Sequence, residues 1–561
     1  MKEQWRTVWS KHQDHLPVLF AAFVLVACIG KQPNVDDYIY IQVAKNIAKD
    51  VLDPFAGLTH WDTTYRPLFE VNENPPLLSY LLALAGSHTN WSVPWMHAIL
   101  LPGALAGVRG VASLARLVGA HPARAQWGLV LSSFWLVSAT SLMCEVTMTS
   151  IAVWASVAVV RSTQSPERGA AATWALLGGL LIGVAFMTKY SAVFVAVGLG
   201  LHLLVKRGFR VETLAFCLGF LVLFGCLEGG MMWRYGESKF IDAAFYPSST
   251  QQGGGAGVRF ICTVMFFGAG ALPILMTRWL SFSRRMLLGV FLISILAPFF
   301  MYFITQKDMD QYSIEFSMLA FSLHSYSFFV AGALVFVAFA LRRRDALDQP
   351  LVLIISVVFV LFTLHFNWCV NARSVLPALP FLSVWWSLKS AESSAQPPRV
   401  VRCALPVLAA LCSLAVLHGD MTWSSYTERT AVLADAFARD NGGKYSFAGH
   451  WGFQYQMEKL GYQPLDFEQK EVSERAFVFA PSSYSGQDLS RGYVWVDGFA
   501  DRMATIFSTF DVEARTSFYG ANAITAFPFS FSTRFEDRLH VFRVVGPNAP
   551  AERAPSASRA E

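Results

Sequence analysis

The sequence predicts a polytopic α-helical membrane protein carrying a small α/β domain at its C-terminal end, outside the cytoplasm. Three observations predict it. Hydrophobic residues are 54% and charged residues 15% of the 561, against roughly 45–50% and about 25% in soluble proteins. The charges are unevenly placed: residues 1–419 hold 30 of the 44 Lys/Arg and 21 of the 39 Asp/Glu, leaving 14 and 18 in the far shorter segment 420–561. Apolar runs of near-spanning length recur through the first three quarters and then stop. A string of soluble domains, a disordered chain and a collagen-like chain are all excluded. The formal net charge of +5 is explained by cytoplasmic loops facing a bilayer and needs no nucleic acid.

A spanning helix takes about 20 mostly apolar residues. About thirteen are expected, near 16–31, 94–118, 126–142, 146–161, 170–187, 190–205, 211–230, 258–279, 286–304, 318–341, 350–366, 374–389 and 403–418. With the N-terminus in the cytoplasm, the inside segments hold 19 Lys/Arg and 7 Asp/Glu, among them Lys206-Arg207, Arg284-Arg285 and Arg342-Arg343-Arg344. The outside segments of residues 1–419 hold 10 and 14, and Arg109 lies within a span. That asymmetry sets the orientation. An odd number of spans in the plasma (inner) membrane then leaves the C-terminal domain extracytoplasmic. The expected organisation is a transmembrane domain over 1–419 with an extracytoplasmic loop at 32–93, an α/β domain over 420–546, and a disordered Ala/Pro/Ser/Arg-rich tail at 547–561.

Within the first loop, Pro76–Gly86 is apolar but too short to span and reads as an interfacial helix. Gly253-Gly254-Gly255 reads as a flexible loop. The C-terminal domain shows a helical pattern at 425–439 and strand-like runs at 476–479 and 539–544. None of the eight cysteines falls in that domain, so no disulfide framework holds it. Leu25-Val26-Ala27-Cys28 has the form of a lipoprotein box. With so many spans following, it reads as part of an uncleaved first helix.

Chemistry-bearing residues gather at the expected outer membrane face. Asp36-Asp37 opens a helical run just after the first span, where a helix dipole also favours acids. Glu73 precedes Pro75-Pro76, whose rigidity fixes its height over the membrane. Glu145 interrupts an apolar stretch too long for one span. Lys189 lies between two spans, where snorkelling is the alternative reading. Arg373 opens the twelfth span within Ala372-Arg373-Ser374-Val375-Leu376-Pro377-Ala378-Leu379-Pro380 and is suited to clamping a phosphate. Arg234, Arg259 and Lys307 are further external bases. An acid can take a proton from a hydroxyl and a base can hold a lipid phosphate, a combination suited to glycosyl transfer from a lipid-linked sugar.

In these motifs the chain resembles the GT-C glycosyltransferases, specifically the bacterial group related to protein O-mannosyltransferases and aminoarabinose transferases. The resemblance runs over most of residues 15–390. It rests on Asp36-Asp37 followed by an Ala-Lys-Asn-Ile helix, on Glu73 before Pro75-Pro76-Leu77, on Met143-Cys144-Glu145, on Thr188-Lys189 and on Arg373 with Leu376-Pro377 and Pro380. It implies a GT-C fold, a polyprenyl-phosphate-linked sugar donor and a lipid, protein or glycan acceptor. It implies Asp36 and Glu73 as catalytic residues, with Asp37, Glu145, Lys189 and Arg373 binding substrate. A divalent metal ion on Glu73 is a further expectation. Ile39 and Asn74 replace an Arg and a Lys of the aminoarabinose transferases, which argues against that donor. Gly449-His450-Trp451-Gly452-Phe453-Gln454-Tyr455 looks like a segment of other bacterial members and carries no assigned role. The rival readings are a glycan polymerase or ligase on the same fold, a lipid-linked-sugar transporter or flippase, and a scaffold presenting the outer domain.

Overall fold

The computed structural model describes residues 13–61, 64–250, 256–277, 328, 330–335, 350–367, 369–388, 399–466, 477–481, 493–503, 505–511, 516–520, 528–531 and 535–544. The expected span at 286–304, most of that at 318–341, the Gly253–Gly255 loop, Lys307 and the 547–561 tail lie outside the described residues. The chain divides into two compact units. The first contains Met1–Cys28, Ala98–Leu417 and Thr509–Ser530; the second contains Ile29–His97, His418–Ser508 and Phe531–Glu561. The 29–97 segment therefore groups with much of the C-terminal region, and a short C-terminal piece groups with the helices.

Among the described residues, five helices are long and apolar enough to cross a membrane: Val93–Leu117, Cys144–Gln164, Arg168–Phe186, Val211–Tyr235 and Ala404–Asn441. Leu16–Ala27, Leu77–His88, Arg259–Leu275 and Ile354–Phe366 are apolar but shorter. In the first unit, Arg168–Phe186 and Val211–Tyr235 meet through small residues. A Cβ on Gly179 would lie 2.1 Å from the Phe216 carbonyl oxygen, and one on Gly219 would lie 2.6 Å from that of Leu176. The glycines thus allow backbone-to-backbone contact between two otherwise bulky faces.

Three expected spans take a different form. The 126–142 run is two helices, Pro122–Val130 and Ser133–Ala139. Ser132 between them is extended and donates its hydroxyl to the Gly270 carbonyl at 2.9 Å. The 374–389 run is broken into Ala372–Val375, a 3-10 turn Leu376–Ala378, and Leu379–Trp386. Pro377 and Pro380 each remove a helical N–H, which accounts for the breaks. The 403–418 run does not stop. It belongs to one 43-residue helix, Arg399–Asn441, which also absorbs the helix expected at 425–439.

The second unit contains a five-stranded sheet in the order Gln463–Pro464, Tyr445–Phe447, Phe477–Pro481, Phe535–Val544, Tyr493–Met503. The first two pairings are parallel and the last two antiparallel. Side-chain alternation gives it two packed faces. Phe447, Phe479, Leu539 and Val541 meet Ala431, Ala434, Phe453 and Met457 on one face, while Val478, Ala480, Phe542 and Val544 cluster on the other. Two helices from the 29–97 segment, Asp37–Lys49 and Leu77–His88, also belong to this unit. Ser79 joins them by donating to the Tyr40 carbonyl at 3.0 Å.

Candidate active site

In the first unit, three residues from distant parts of the sequence come together. Glu145 lies in the first turn of Cys144–Gln164, where a carboxylate suits the helix dipole. Lys189 lies in the turn after Arg168–Phe186, and Arg373 lies in the short helix Ala372–Val375. The Lys189 ammonium is 2.6 Å from Glu145 Oε1, and the Arg373 guanidinium is 3.9 Å from the same oxygen. The Glu145 side chain is 1% exposed, that of Arg373 10% and that of Lys189 22%. One buried carboxylate therefore faces two cations. Glu145 Oε2 is buried and has no hydrogen-bond partner among the described residues.

The helix bearing Arg373 is fixed at its N-terminus. Asn371 caps it, its side-chain oxygen accepting from the Ser374 N–H at 2.7 Å and the Ser374 hydroxyl at 2.6 Å. The Ala372 N–H donates to the Phe518 carbonyl at 3.1 Å, and Arg373 Nη2 donates to the Tyr519 carbonyl at 3.1 Å. The guanidinium carbon lies 5.9 Å from the centre of the Tyr519 ring, within cation–π range. Arg373 Nη1 also reaches Met143 Sδ at 3.4 Å. Tyr519 is a site residue that the sequence reading missed. It lies 146 residues from Arg373, in a stretch with no motif around it.

In the second unit, Asp36 and Asp37 diverge despite being adjacent. Asp36 is half-buried and is the N-cap of Asp37–Lys49, its carbonyl accepting from the Ile39 N–H at 3.0 Å. Asp37 is fully buried. Its Oδ2 accepts from the Asn34 N–H at 3.0 Å, and its Oδ1 has no partner among the described residues. Burial pushes its carboxyl up to about 7, against a smaller opposing pull from Lys31. Glu73 is half-buried between Asn72 and Asn74, which close a turn around it: Asn72 Oδ1 accepts from the Asn74 N–H, and Asn72 Nδ2 donates to the Asn74 carbonyl, both at 3.2 Å. No group of three or more His, Cys, Asp or Glu side chains that could hold a metal is found among the described residues. Among the described residues, Glu73 therefore has no such cluster of co-ligands for a divalent ion.

Arg259 is held by backbone acceptors. Its guanidinium donates to the Leu364, Thr363 and Asn367 carbonyls at the end of the Phe362–Phe366 π-helix, which satisfies groups that the helix leaves open. His450 packs against Trp61 and His60, with ring centres 5.9 and 6.5 Å away.

No protein-family model and no curated protein matches this sequence. Among solved structures, the chain is similar to ArnT from Cupriavidus metallidurans, at 14% identity and a TM-score of 0.42 over 85% of this chain and 93% of that one. That protein has also been solved with undecaprenyl phosphate, with 83% and 92% of the two chains covered at the same identity and score. The archaeal oligosaccharyltransferase AglB from Archaeoglobus fulgidus, solved with an inhibitory peptide and a dolichol-phosphate, is 12% identical at a TM-score of 0.42 over 84% of this chain and 70% of that one. The arabinofuranosyltransferase AftD from Mycobacteria is 13% identical at a TM-score of 0.39 over 95% and 40%.

Proposed function

We propose that the protein is a membrane glycosyltransferase that moves a sugar from a polyprenyl-phosphate donor to an acceptor on the extracytoplasmic side. The observation that carries the reading is the buried Glu145–Lys189–Arg373 group, in which one carboxylate holds a lysine and an arginine side by side. Two cationic side chains held side by side in a water-poor setting present charged donors to an incoming anion. Arg373 supplies a planar fork suited to phosphate oxygens, and Lys189 a point charge beside it. Glu145 holds the two cations against their mutual repulsion while the site is empty.

In this reading Asp36 is the general base. The acceptor oxygen or nitrogen attacks the anomeric carbon and forms the new bond. The anomeric carbon–oxygen bond breaks with its electron pair going to polyprenyl phosphate, whose charge Lys189 and Arg373 stabilise. The acceptor proton passes to Asp36. Attack opposite the phosphate inverts the anomeric configuration. Asp36, half-buried at a helix N-cap, is accessible in a way that the sealed Asp37 is not, which supports the choice between them. Glu73 is the second acid assigned to catalysis. The full membrane arrangement, with about thirteen spans, a cytoplasmic N-terminus and residues 420–546 outside the plasma membrane, follows from the Lys/Arg distribution.

The test is binding of undecaprenyl phosphate by detergent-purified protein. Removing a hydrogen-bonded charge partner of a phosphate is worth about 2 kcal/mol, so Arg373→Ala is expected to weaken binding ~10–100-fold. Arg373→Lys is expected to recover only part of it, because the fork is lost. Unchanged affinity in Arg373→Ala and Lys189→Ala alike would remove this group as the phosphate site.

A further inference from the structure

The segment leading to Asp36 is held at nearly every residue, and all of the holding groups belong to the second unit. Lys31 forms an ion pair with Asp420 at 2.5 Å, with both side chains fully buried, and its carbonyl lies 3.0 Å from His97 Nε2. Gln32 Oε1 accepts from Gln456 Nε2 at 3.0 Å. Pro33 is pressed by the Gly449–Tyr455 segment: a Cβ on Gly452 would lie 2.5 Å from the Pro33 carbonyl oxygen and 3.0 Å from Thr427 Oγ1. The Asn34 N–H donates to Asp37 Oδ2, the Val35 N–H donates to Asn34 Oδ1 at 2.9 Å, and the Asp37 N–H donates back to the Asn34 carbonyl at 3.0 Å. Residues 33, 34, 35 and 37 are buried, whereas Asp36 is half-buried.

Val35 shows what this framework does. Its φ is +44°, in the left-handed region. A β-branched side chain is strongly disfavoured there, and such a conformation persists only where the surroundings over-determine it. The two hydrogen bonds on either side of Val35, the Lys31–Asp420 anchor and the Gly452 contact supply that determination. The reward is the direction of the next side chain, that of Asp36.

We propose that Asn34, Asp37, Lys31 and Gly452 are positioning residues that impose the left-handed turn at Val35 and thereby aim the Asp36 carboxylate. Asp37 is then a structural acceptor rather than a substrate ligand, and Gly452 gives the Gly449–Tyr455 segment a role: it is the surface against which the turn is pressed. The inference rests on the reading of Asp36 as the base.

The experiment measures kcat and donor KM for release of undecaprenyl phosphate from a panel of undecaprenyl-phosphate hexoses and pentoses, with envelope lipids and glycans supplied as acceptors. It compares Asp36→Asn, Asp37→Asn, Asp37→Ala and Gly452→Ala in the full chain. A carboxylate displaced by about 1 Å costs up to ~100-fold in rate. Asp37→Ala and Gly452→Ala are therefore expected to lose ~10–100-fold in kcat with donor KM within ~2-fold of wild type. Asp37→Asn retains an acceptor oxygen and is expected to recover kcat to within ~3-fold. A loss in Asp37→Asn as deep as in Asp36→Asn would overturn the proposal, since the charge rather than the acceptor would matter. So would wild-type kcat in both alanine variants alongside an inactive Asp36→Asn. Asp37→Asn is nearly isosteric and decides the matter even where the alanine variants do not fold. Wild-type turnover in Asp36→Asn would instead bring down the base assignment itself.

Discussion

Glu145→Gln separates a phosphate receptor from an ordinary buried salt bridge. The substitution keeps shape and removes one charge. At an effective dielectric of about 20, attraction across 2.6 Å to Lys189 and 3.9 Å to Arg373 amounts to about 6 and about 4 kcal/mol. Most of this is offset by the desolvation of the ions, and breaking a buried pair costs about 3–5 kcal/mol net. In the empty protein the variant should therefore melt lower, by ~5 °C or more. The anion site, however, becomes more positive by one charge. Undecaprenyl phosphate can stand in for the lost carboxylate, so its affinity should rise ~10-fold, equivalent to about 1.4 kcal/mol. The assay is a thermal melt in detergent with and without undecaprenyl phosphate. The ligand should raise the melting midpoint of Glu145→Gln more than that of wild type. An equal or smaller rise would refute the reasoning and leave Glu145 as a structural ion-pair partner only.

Two other outcomes are expected. Asp37 binds its proton more tightly folded than unfolded, with its carboxyl near 7 against 3.8. The native state thus holds the extra proton between those values, so this contribution to stability is full below pH ~4 and is lost as pH rises through ~7. The span corresponds to about 4 kcal/mol. Melting midpoints measured across that window should fall less steeply with pH in Asp37→Asn than in wild type, and parallel curves would contradict the assignment. Glu73→Gln should lower turnover in a folded sample, because the substitution nearly keeps the side chain's shape and removes its charge. A fall in the midpoint with turnover unchanged would make Glu73 structural.

Part of the helical organisation was legible because apolar length is a local signal. The strands at 477–481 and 535–544 were legible because residues alternate between two packed faces. The grouping of Glu145, Lys189 and Arg373 was readable as three charges at span ends, though not as one buried contact. Helix breaks were less legible. An apolar run reads the same whether Ser132 continues a helix or donates to Gly270, and only the partner decides. Pairings across long sequence separations left no local trace. Lys31 and Asp420 each read as an ordinary charge beside a span, and Tyr519 as one aromatic among many. The different fates of Asp36 and Asp37 depend on the conformation of Val35, which its side chain disfavours and which no propensity would suggest.

The most direct test of the central claim is the turnover of Asp36→Asn with undecaprenyl-phosphate sugars, set beside its binding of undecaprenyl phosphate. General-base catalysis contributes typically ~10²–10⁴-fold, so the variant should release undecaprenyl phosphate that much more slowly while binding it as wild type does. Turnover near the wild-type rate in a folded sample would contradict the account, because a polyprenyl-phosphate glycosyltransferase working through this acid cannot retain its rate once the carboxylate is gone.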